Sequence, residues 1–188
     1  MKREEFRAVT AQLPLLVRDS RDSDVAAITQ IYGHWVREGF GTFELDPPAE
    51  SEISGRRQSI LGANYPHLVA EISGEVAGYA YASPYRPRPG YRFSCEDSIY
   101  VAPHVARHGV GRALLGELIS RCEAMRLRLM IAVIGDSENA PSIGLHERLS
   151  FMRSGLLPAV GWKHGRWVDT VFMTRVLGAG ASIPPTEK

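Results

Sequence analysis

Hydrophobic positions along the chain switch several times between a period of two and a period near 3.6, the pattern of alternating strands and helices. Leu15-Leu16-Val17-Arg18 predicts a short strand, and Asp19, Ser20 and Asp22 then offer helix N-caps. Val25, Ile28, Ile31, Tyr32, Trp35 and Val36 recur at helical spacing until Gly39 stops the run. A second, weaker helix is expected from Pro48 to about Leu61. His67 to Ile72 and Glu75 to Ala82 form a strand pair around a Ser73-Gly74 hairpin turn. In the returning strand Gly78, Ala80 and Ala82 share one face, small enough for a helix to approach closely, while Tyr79 and Tyr81 share the other. Tyr91 to Val101 is another strand, ended by Pro103.

The strongest helix follows. Val110, Leu114, Leu115, Leu118, Ile119, Cys122 and Met125 make one apolar stripe. Leu129 to Ile134 is short and wholly apolar, as in a strand buried on both faces. A helix from about Asn139 to Leu149 and strands around Phe151 to Val160 and Trp167 to Val176 complete the order β-α-α-β-β-β-α-β-α-β-β. This is an α/β pattern, and its natural packing is a mixed sheet with helices on both faces.

The 188 residues fit a single domain long enough to bury a core without disulfides or metals. The expected division is a flexible polar lead-in over 1–13, the domain over 14–177, and a flexible Pro/Gly-rich tail over 178–188. With 22 basic against 21 acidic residues the net charge is +1, which argues against a nucleic-acid or membrane surface as the main partner. No apolar stretch is long enough to span a bilayer, and the charged start Met1-Lys2-Arg3-Glu4-Glu5 does not resemble a secretory signal. Cys95 and Cys122 stand outside any CxxC pair and read as reduced, buried thiols, so a cytoplasmic location is expected.

Chemistry first shows itself in Ala106-Arg107-His108-Gly109-Val110-Gly111-Arg112, between a strand and the best helix. Free N–H groups at a helix N-terminus attract anions, and glycines let the backbone approach a ligand. Arg107, His108 and Arg112 add positive charge, which suits a pyrophosphate. A dinucleotide fingerprint would need glycine where Leu114 stands, and a Walker loop would need Gly-Lys-Ser/Thr. The turn by itself also fits a plain tight turn before a helix. His104 and His108 have zinc-compatible spacing only on a helix, which Pro103 disfavours, and no third ligand is evident, so no metal is expected.

Ile99-Tyr100-Val101, Arg107-His108-Gly109-Val110-Gly111 and Leu114-Leu115 together resemble the acetyl-CoA motif of GNAT acetyltransferases, usually Gln/Arg-x-x-Gly-x-Gly/Ala, with Ala106 departing at the first position. Further segments occur in the family's order: Tyr65 to Glu71, Val76 to Ala82, Glu96 to Val101, Ala132 to Ile134, Ser142 to Glu147, and Val160 to Asp169. As a set they resemble the phosphinothricin and methionine sulfoximine/sulfone N-acetyltransferase branch over roughly residues 15 to 175, with Ser150 replacing a usual glycine before Phe151.

The resemblance implies a GNAT fold: a splayed, mostly antiparallel mixed sheet of six to seven strands with about four helices. It implies direct transfer of acetyl from acetyl-CoA to the primary amine of a small amino-acid-like molecule, without a metal. Glu96 is the candidate base for the ammonium, directly or through water. It lies in an otherwise apolar strand, where burial raises a carboxyl pKa. A solvent-facing strand-edge glutamate is the alternative.

By the resemblance the backbone of Ile99, Tyr100 and Val101 binds the thioester carbonyl and pantetheine arm, and a strand bulge there frees an amide for the oxyanion. The amides of Arg107 to Arg112 hold the pyrophosphate, and Asn139 touches the CoA arm or simply caps its helix. His146 stands where many relatives have a tyrosine that protonates the leaving thiolate, or else packs at the sheet edge. Substrate contacts are expected from Phe43, Arg86, Arg88, Glu96, Asp97 and Ser98, the arginines binding the acid group. Asp97 points away from Glu96 unless the strand is bulged. Relatives of this type are often homodimers. The alternatives are a GNAT enzyme for a protein N-terminus, polyamine or aminoglycoside, and a non-catalytic acetyl-CoA sensor.

Overall fold

A computed structural model describes residues 14–185. The expected lead-in over 1–13 and the last three tail residues lie outside the described residues. Four α-helices and seven strands follow in the expected order: β1 (Leu15–Asp19), α1 (Val25–Glu38), α2 (Glu50–Gly62), β2 (His67–Ile72), β3 (Glu75–Pro84), β4 (Ser94–Val101), α3 (Val110–Ala124), β5 (Leu129–Gly135), α4 (Ala140–Arg148), β6 (Met152–Lys163) and β7 (Arg166–Val176). The strands make one sheet in the order β1-β2-β3-β4-β5-β7-β6. Only β4 and β5 pair in parallel; every other neighbour pair is antiparallel.

Each face of the sheet carries its own core. Leu114, Leu115, Leu118 and Cys122 of α3 and Ile143 of α4 pack on Leu68, Ala80, Ala82, Met130 and Ala132. Val25, Ile28, Tyr32 and Val36 of α1 and Ile53 of α2 pack on Val69 and Tyr79 from the opposite side. The small face of β3 has its expected use: a Cβ on Gly78 would meet Val110 Cγ1 at 3.1 Å and the Tyr100 carbonyl at 2.8 Å. Bulk there would push α3 off the sheet.

Four expectations need correction. Asp19, Ser20 and Asp22 do not cap α1. Arg21 opens a short 3-10 turn over Asp22–Asp24, and Asp24 accepts the Arg21 amide at 2.6 Å and pairs with Arg18 at 2.7 Å. Ser20 instead accepts a bond from Arg57 Nε at 2.7 Å. Residues 91–93 are not strand, because Pro89–Tyr91 closes a turn through Tyr91 and Arg92 amides bonded to the Arg88 and Pro89 carbonyls. Met125 leaves the apolar stripe, serving as the exposed C-cap of α3. The bulge expected in β4 is absent from its pairing with β3, which runs unbroken from Cys95 to Val101.

The sheet opens by another route. β4 pairs with β5 only from Ser94↔Leu129 to Asp97↔Ala132. Beyond that point Ser98–Val101 pair with β3 alone and Val133–Gly135 with β7 alone. The two strands part at Asp97, so one edge of Ser98–Val101 has no strand partner among the described residues.

Candidate functional site

The site grows from the alternation of side chains along β4. Cys95 and Asp97 point to the α3/α4 side, where both are buried. Glu96, Ser98 and Tyr100 point to the α1/α2 side. There Ser98 stands opposite Tyr81 across the ladder, and the Tyr100 ring stacks on Tyr79 with centroids 5.2 Å apart. Burial raises the Glu96 carboxyl above the ordinary glutamate value, Asp97 next to it adds to the rise, and Arg86 opposes it. A half-buried carboxyl held this way accepts a proton more readily than a solvated one.

Beyond Glu96 the chain supplies a polar frame that pattern reading alone does not reveal. Tyr32 OH lies 3.0 Å from Thr42 Oγ1. Arg56 pairs with Glu44 at 2.6 Å and lies over the Tyr32 ring. Lys163, fully buried, donates from Nζ to the Thr42 carbonyl at 2.8 Å. These contacts fix the 39–49 loop, and with it Phe43, whose ring lies against Gly161 of β6 so closely that a Cβ there would sit 2.1 Å from Phe43 Cε1. The helical stripe marks Tyr32, but Arg56 and Lys163 gain their meaning only from tertiary partners.

On the other face, His146 Nε2 lies 3.1 Å from Asp97 Oδ2, and His146 Nδ1 lies 2.7 Å from the Ser142 carbonyl. Asp97 points away from Glu96, as an unbulged strand requires, and stands with His146 on the far side, both side chains under 5% exposed. Burial disfavours the His146 cation, but the hydrogen bond and charge of Asp97 outweigh it, and the histidine stands above its ordinary value.

The turn before α3 has the form an anion needs. Arg107 and Gly109 take left-handed backbone at φ 70° and 82°. The first helical bond runs from the Ala113 amide to the Gly109 carbonyl at 3.0 Å, so the amides of Val110, Gly111 and Arg112 have no acceptor within the helix. No acidic residue stands in this first turn, and Arg107, His108 and Arg112 are exposed around it. His108 Nδ1 donates to the Ala106 carbonyl at 3.0 Å. The Val110 side chain is buried, so it offers a ligand its amide alone. Gly111 lets α3 lie against Leu145 of α4, whose Cδ2 would be 3.1 Å from an added Cβ.

The remaining candidates fall around the parted strands. Ile99 packs into the α3 core, Tyr100 into the α1 core, and the Val101 carbonyl accepts from Trp35 Nε1 at 2.8 Å, so what this segment offers a ligand is its free main-chain edge. Asn139 caps α4: its Oδ1 accepts from the Ser142 amide at 3.2 Å and its Nδ2 donates to the Gly135 carbonyl at 3.3 Å. Arg86, exposed, lies over the Tyr85 ring, and exposed Arg88 opens the Pro89–Tyr91 turn.

Known proteins resemble this chain in sequence and in fold. The family model for the acetyltransferase (GNAT) family matches residues 28–151. The chain is 50% identical over 175 residues to a phosphinothricin N-acetyltransferase of Alcaligenes faecalis, covering 93% of this chain and 89% of that one. It is 38% identical over 169 residues to an L-methionine sulfoximine/L-methionine sulfone acetyltransferase of Pseudomonas paraeruginosa, covering 89% of this chain and 98% of that one. The crystal structure of a phosphinothricin acetyltransferase from Sinorhizobium meliloti in complex with AcCoA superposes with a TM-score of 0.90 at 48% identity, over 92% of this chain and 94% of that one. With an amide-rich turn, a parted sheet and a half-buried glutamate in one fold, the chain belongs to the GNAT acetyltransferase family.

Proposed function

We propose that this protein transfers the acetyl group of acetyl-CoA to the primary amine of a small amino-acid-like substrate of the methionine sulfoximine, methionine sulfone or phosphinothricin type. Both substrates bind together, and no acyl-enzyme forms. One observation carries this reading: Glu96 is a half-buried carboxyl with a raised proton affinity, next to the point where β4 and β5 part, on the strand whose far end leads into the amide-rich turn.

The turn amides of residues 107–112 would hold the diphosphate, leaving the pantetheine arm along the free edge of Ile99–Val101 and the thioester near Asp97 and Glu96. Glu96 takes the ammonium proton, which an aliphatic amine with a pKa of about 10 otherwise keeps at neutral pH. The freed amine attacks the thioester carbon, and a main-chain amide on the open edge of β4 stabilises the oxyanion. Arg86 and Arg88 supply the charge for the substrate's acid group, and Phe43 and Ser98 line the pocket. His146 serves the departing sulfur, and Asn139 steadies the CoA arm where α4 begins.

The exposed apolar side chains of Leu156, Val160, Trp162 and Trp167 on β6 and β7 support a homodimer through this face. Two free interior thiols, Cys95 and Cys122, suit the reducing cytoplasm.

Thiol release from acetyl-CoA across an amine panel tests the activity. Release that depends on methionine sulfone, methionine sulfoximine or phosphinothricin supports the reading. Tight CoA binding with no release from any amine would mark a sensor, and release only with polyamines, aminoglycosides or peptide N-termini would move the protein to another GNAT activity.

A further inference from the structure

Both ring nitrogens of His146 are engaged in the interior: Nδ1 at 2.7 Å from the Ser142 carbonyl and Nε2 at 3.1 Å from Asp97 Oδ2. A carbonyl only accepts, so Nδ1 must carry a hydrogen. A neutral imidazole has a single N–H. With that hydrogen on Nδ1, Nε2 would aim a lone pair at a carboxylate oxygen, in a site where solvent cannot relieve the repulsion. The contact is attractive only when a second proton lies between Nε2 and Oδ2. Asp97 Oδ1 is buried and has no hydrogen-bond partner, so this carboxylate leans on the imidazole for its compensation.

We propose that Asp97 holds His146 as a buried imidazolium at the fork where β4 and β5 part, and that Asp97 is thereby the positioning residue that loads His146 with the proton received by the leaving thiolate. This rests on the acetyl transfer proposed above. The groups facing the pair are Cys95 on the same strand face, its thiol pushed up by Cys122 and by burial, and Glu96 across the strand. The Phe151 ring stands edge-on to His146 at 4.9 Å. Two neighbouring carboxyls, Glu96 and Asp97, raise the local demand for a proton, and His146 satisfies it for one of them.

The proton balance closes. As the amine nitrogen bonds to the carbonyl carbon and the C–S bond breaks, the bonding pair leaves on sulfur. The Nε2 proton passes to that sulfur and the product is the free thiol. Glu96 passes the first ammonium proton to solvent and takes the second as the nitrogen becomes an amide, and once the CoA thiol has left the parted strands a solvent proton returns to Nε2, which again faces the Asp97 carboxylate, so one proton is released for each acetyl group transferred.

The test combines ¹⁵N NMR of the histidine rings with kinetics of the wild type and Asp97→Asn. The expected result is a wild-type His146 ring protonated on both nitrogens at pH 7, titrating above the ordinary histidine value. In Asp97→Asn, whose amide can donate to Nε2, the ring is neutral at pH 7. Its kcat falls by about 10- to 100-fold with KM for acetyl-CoA within about threefold, and the alkaline limb of kcat moves to lower pH. A wild-type ring carrying one proton at pH 7 overturns the proposal, as does an Asp97→Asn enzyme with unchanged kcat and pH profile. The wild-type titration decides the loaded state even if the variant does not fold. It also needs no turnover: failure of the amine panel would remove the activity, whereas a neutral ring in an active enzyme would remove only the Asp97–His146 assignment.

Discussion

Lys163 and Thr42 are joined across 121 residues of sequence by one buried hydrogen bond, Lys163 Nζ to the Thr42 carbonyl at 2.8 Å. Lys163 is 1% exposed, and burial pulls its ammonium below the ordinary lysine value while Glu44 partly restores it. The bond fastens the 39–49 loop to the β6–β7 hairpin. The same loop crosses β5 so tightly that a Cβ on Gly135 would lie 2.0 Å from the Phe40 carbonyl oxygen.

Replacing Lys163 with Met keeps the volume and removes the anchor. Stability should change by less than about 1.5 kcal/mol, because the lost charge–carbonyl bond is offset by relief of a buried charge. The loop carrying Phe43 should loosen, raising the amine KM by about 5- to 10-fold while acetyl-CoA affinity stays near wild type. An unchanged amine KM would detach this loop from the substrate pocket. Gly135→Ala, which forces the loop backbone away, should cost more than Lys163→Met in both Tm and amine KM.

Glu96→Gln should lower kcat by about 10²- to 10⁴-fold with acetyl-CoA binding intact by calorimetry. Because burial, aided by Asp97, raises the carboxyl pKa, the ascending limb of kcat/KM should lie above the pH at which an exposed glutamate ionises. The sign for stability runs the other way. A carboxyl whose folded pKa is raised helps the fold when protonated, and that help is lost as pH rises through the folded value. Glu96→Gln should therefore unfold at a higher temperature than wild type at pH 7, with the gap closing in acid. Near wild-type turnover across the pH range would remove Glu96 from the base's role.

The elements of this fold could be read because their periodicities are strong: the stripe of α3, the apolar run of β5 and the Ser73-Gly74 turn all stand where the pattern places them. Structure departs from pattern where local chemistry outweighs periodicity. Pro89 and Gly90 turn a β-looking segment into a turn, and β6, an exposed edge strand with two register shifts, extends three residues beyond Val160. Of the candidate site, Glu96 was legible as one of two adjacent carboxyls in a mostly apolar strand, and the α3 turn from its glycines and flanking arginines. Asp97–His146 and Lys163–Thr42 were not, because a hydrogen bond between residues 49 or 121 positions apart leaves no trace in local spacing. The missing β4 bulge has a similar cause: the parting of two strands depends on what β5 and β7 do, not on β4.

Gly109→Ala places a side chain on left-handed backbone at φ 82°, with open space around the new Cβ. The cost is conformational, about 1 kcal/mol, and falls on the turn that presents the amides of residues 110–112. The Kd for acetyl-CoA should rise by about 5- to 10-fold with kcat at saturation preserved. Gly111→Ala crowds only the flexible tip of Leu145, meeting Val101 Cγ2 at an ordinary 3.7 Å, and should bind acetyl-CoA nearly as well as wild type. Equal affinity in wild type and Gly109→Ala would show that the diphosphate is held elsewhere.

His67 gives the fold its acid sensitivity. Its ring lies beside and nearly parallel to those of Tyr79 and Tyr81, its Nδ1 has no hydrogen-bond partner, and burial, helped by Arg57 and opposed by Asp24, pushes its pKa down to about 4. A histidine with a depressed folded pKa stabilises above its unfolded value of about 6.5, and that stability is lost as pH falls toward the folded value. From pH 7 to pH 4 the loss should reach about 3 kcal/mol. Asp24, whose carboxyl its Arg18 hydrogen bond holds down against burial, loses stability in acid as well, so the measurement has to be a difference. His67→Phe keeps an aromatic ring and removes the titration. Urea unfolding of the two proteins at pH 7 and pH 4.5 should show the wild type losing more stability than the variant. Parallel losses would mean that His67 is already satisfied as a cation within the fold, and that the acid response belongs to the carboxylates.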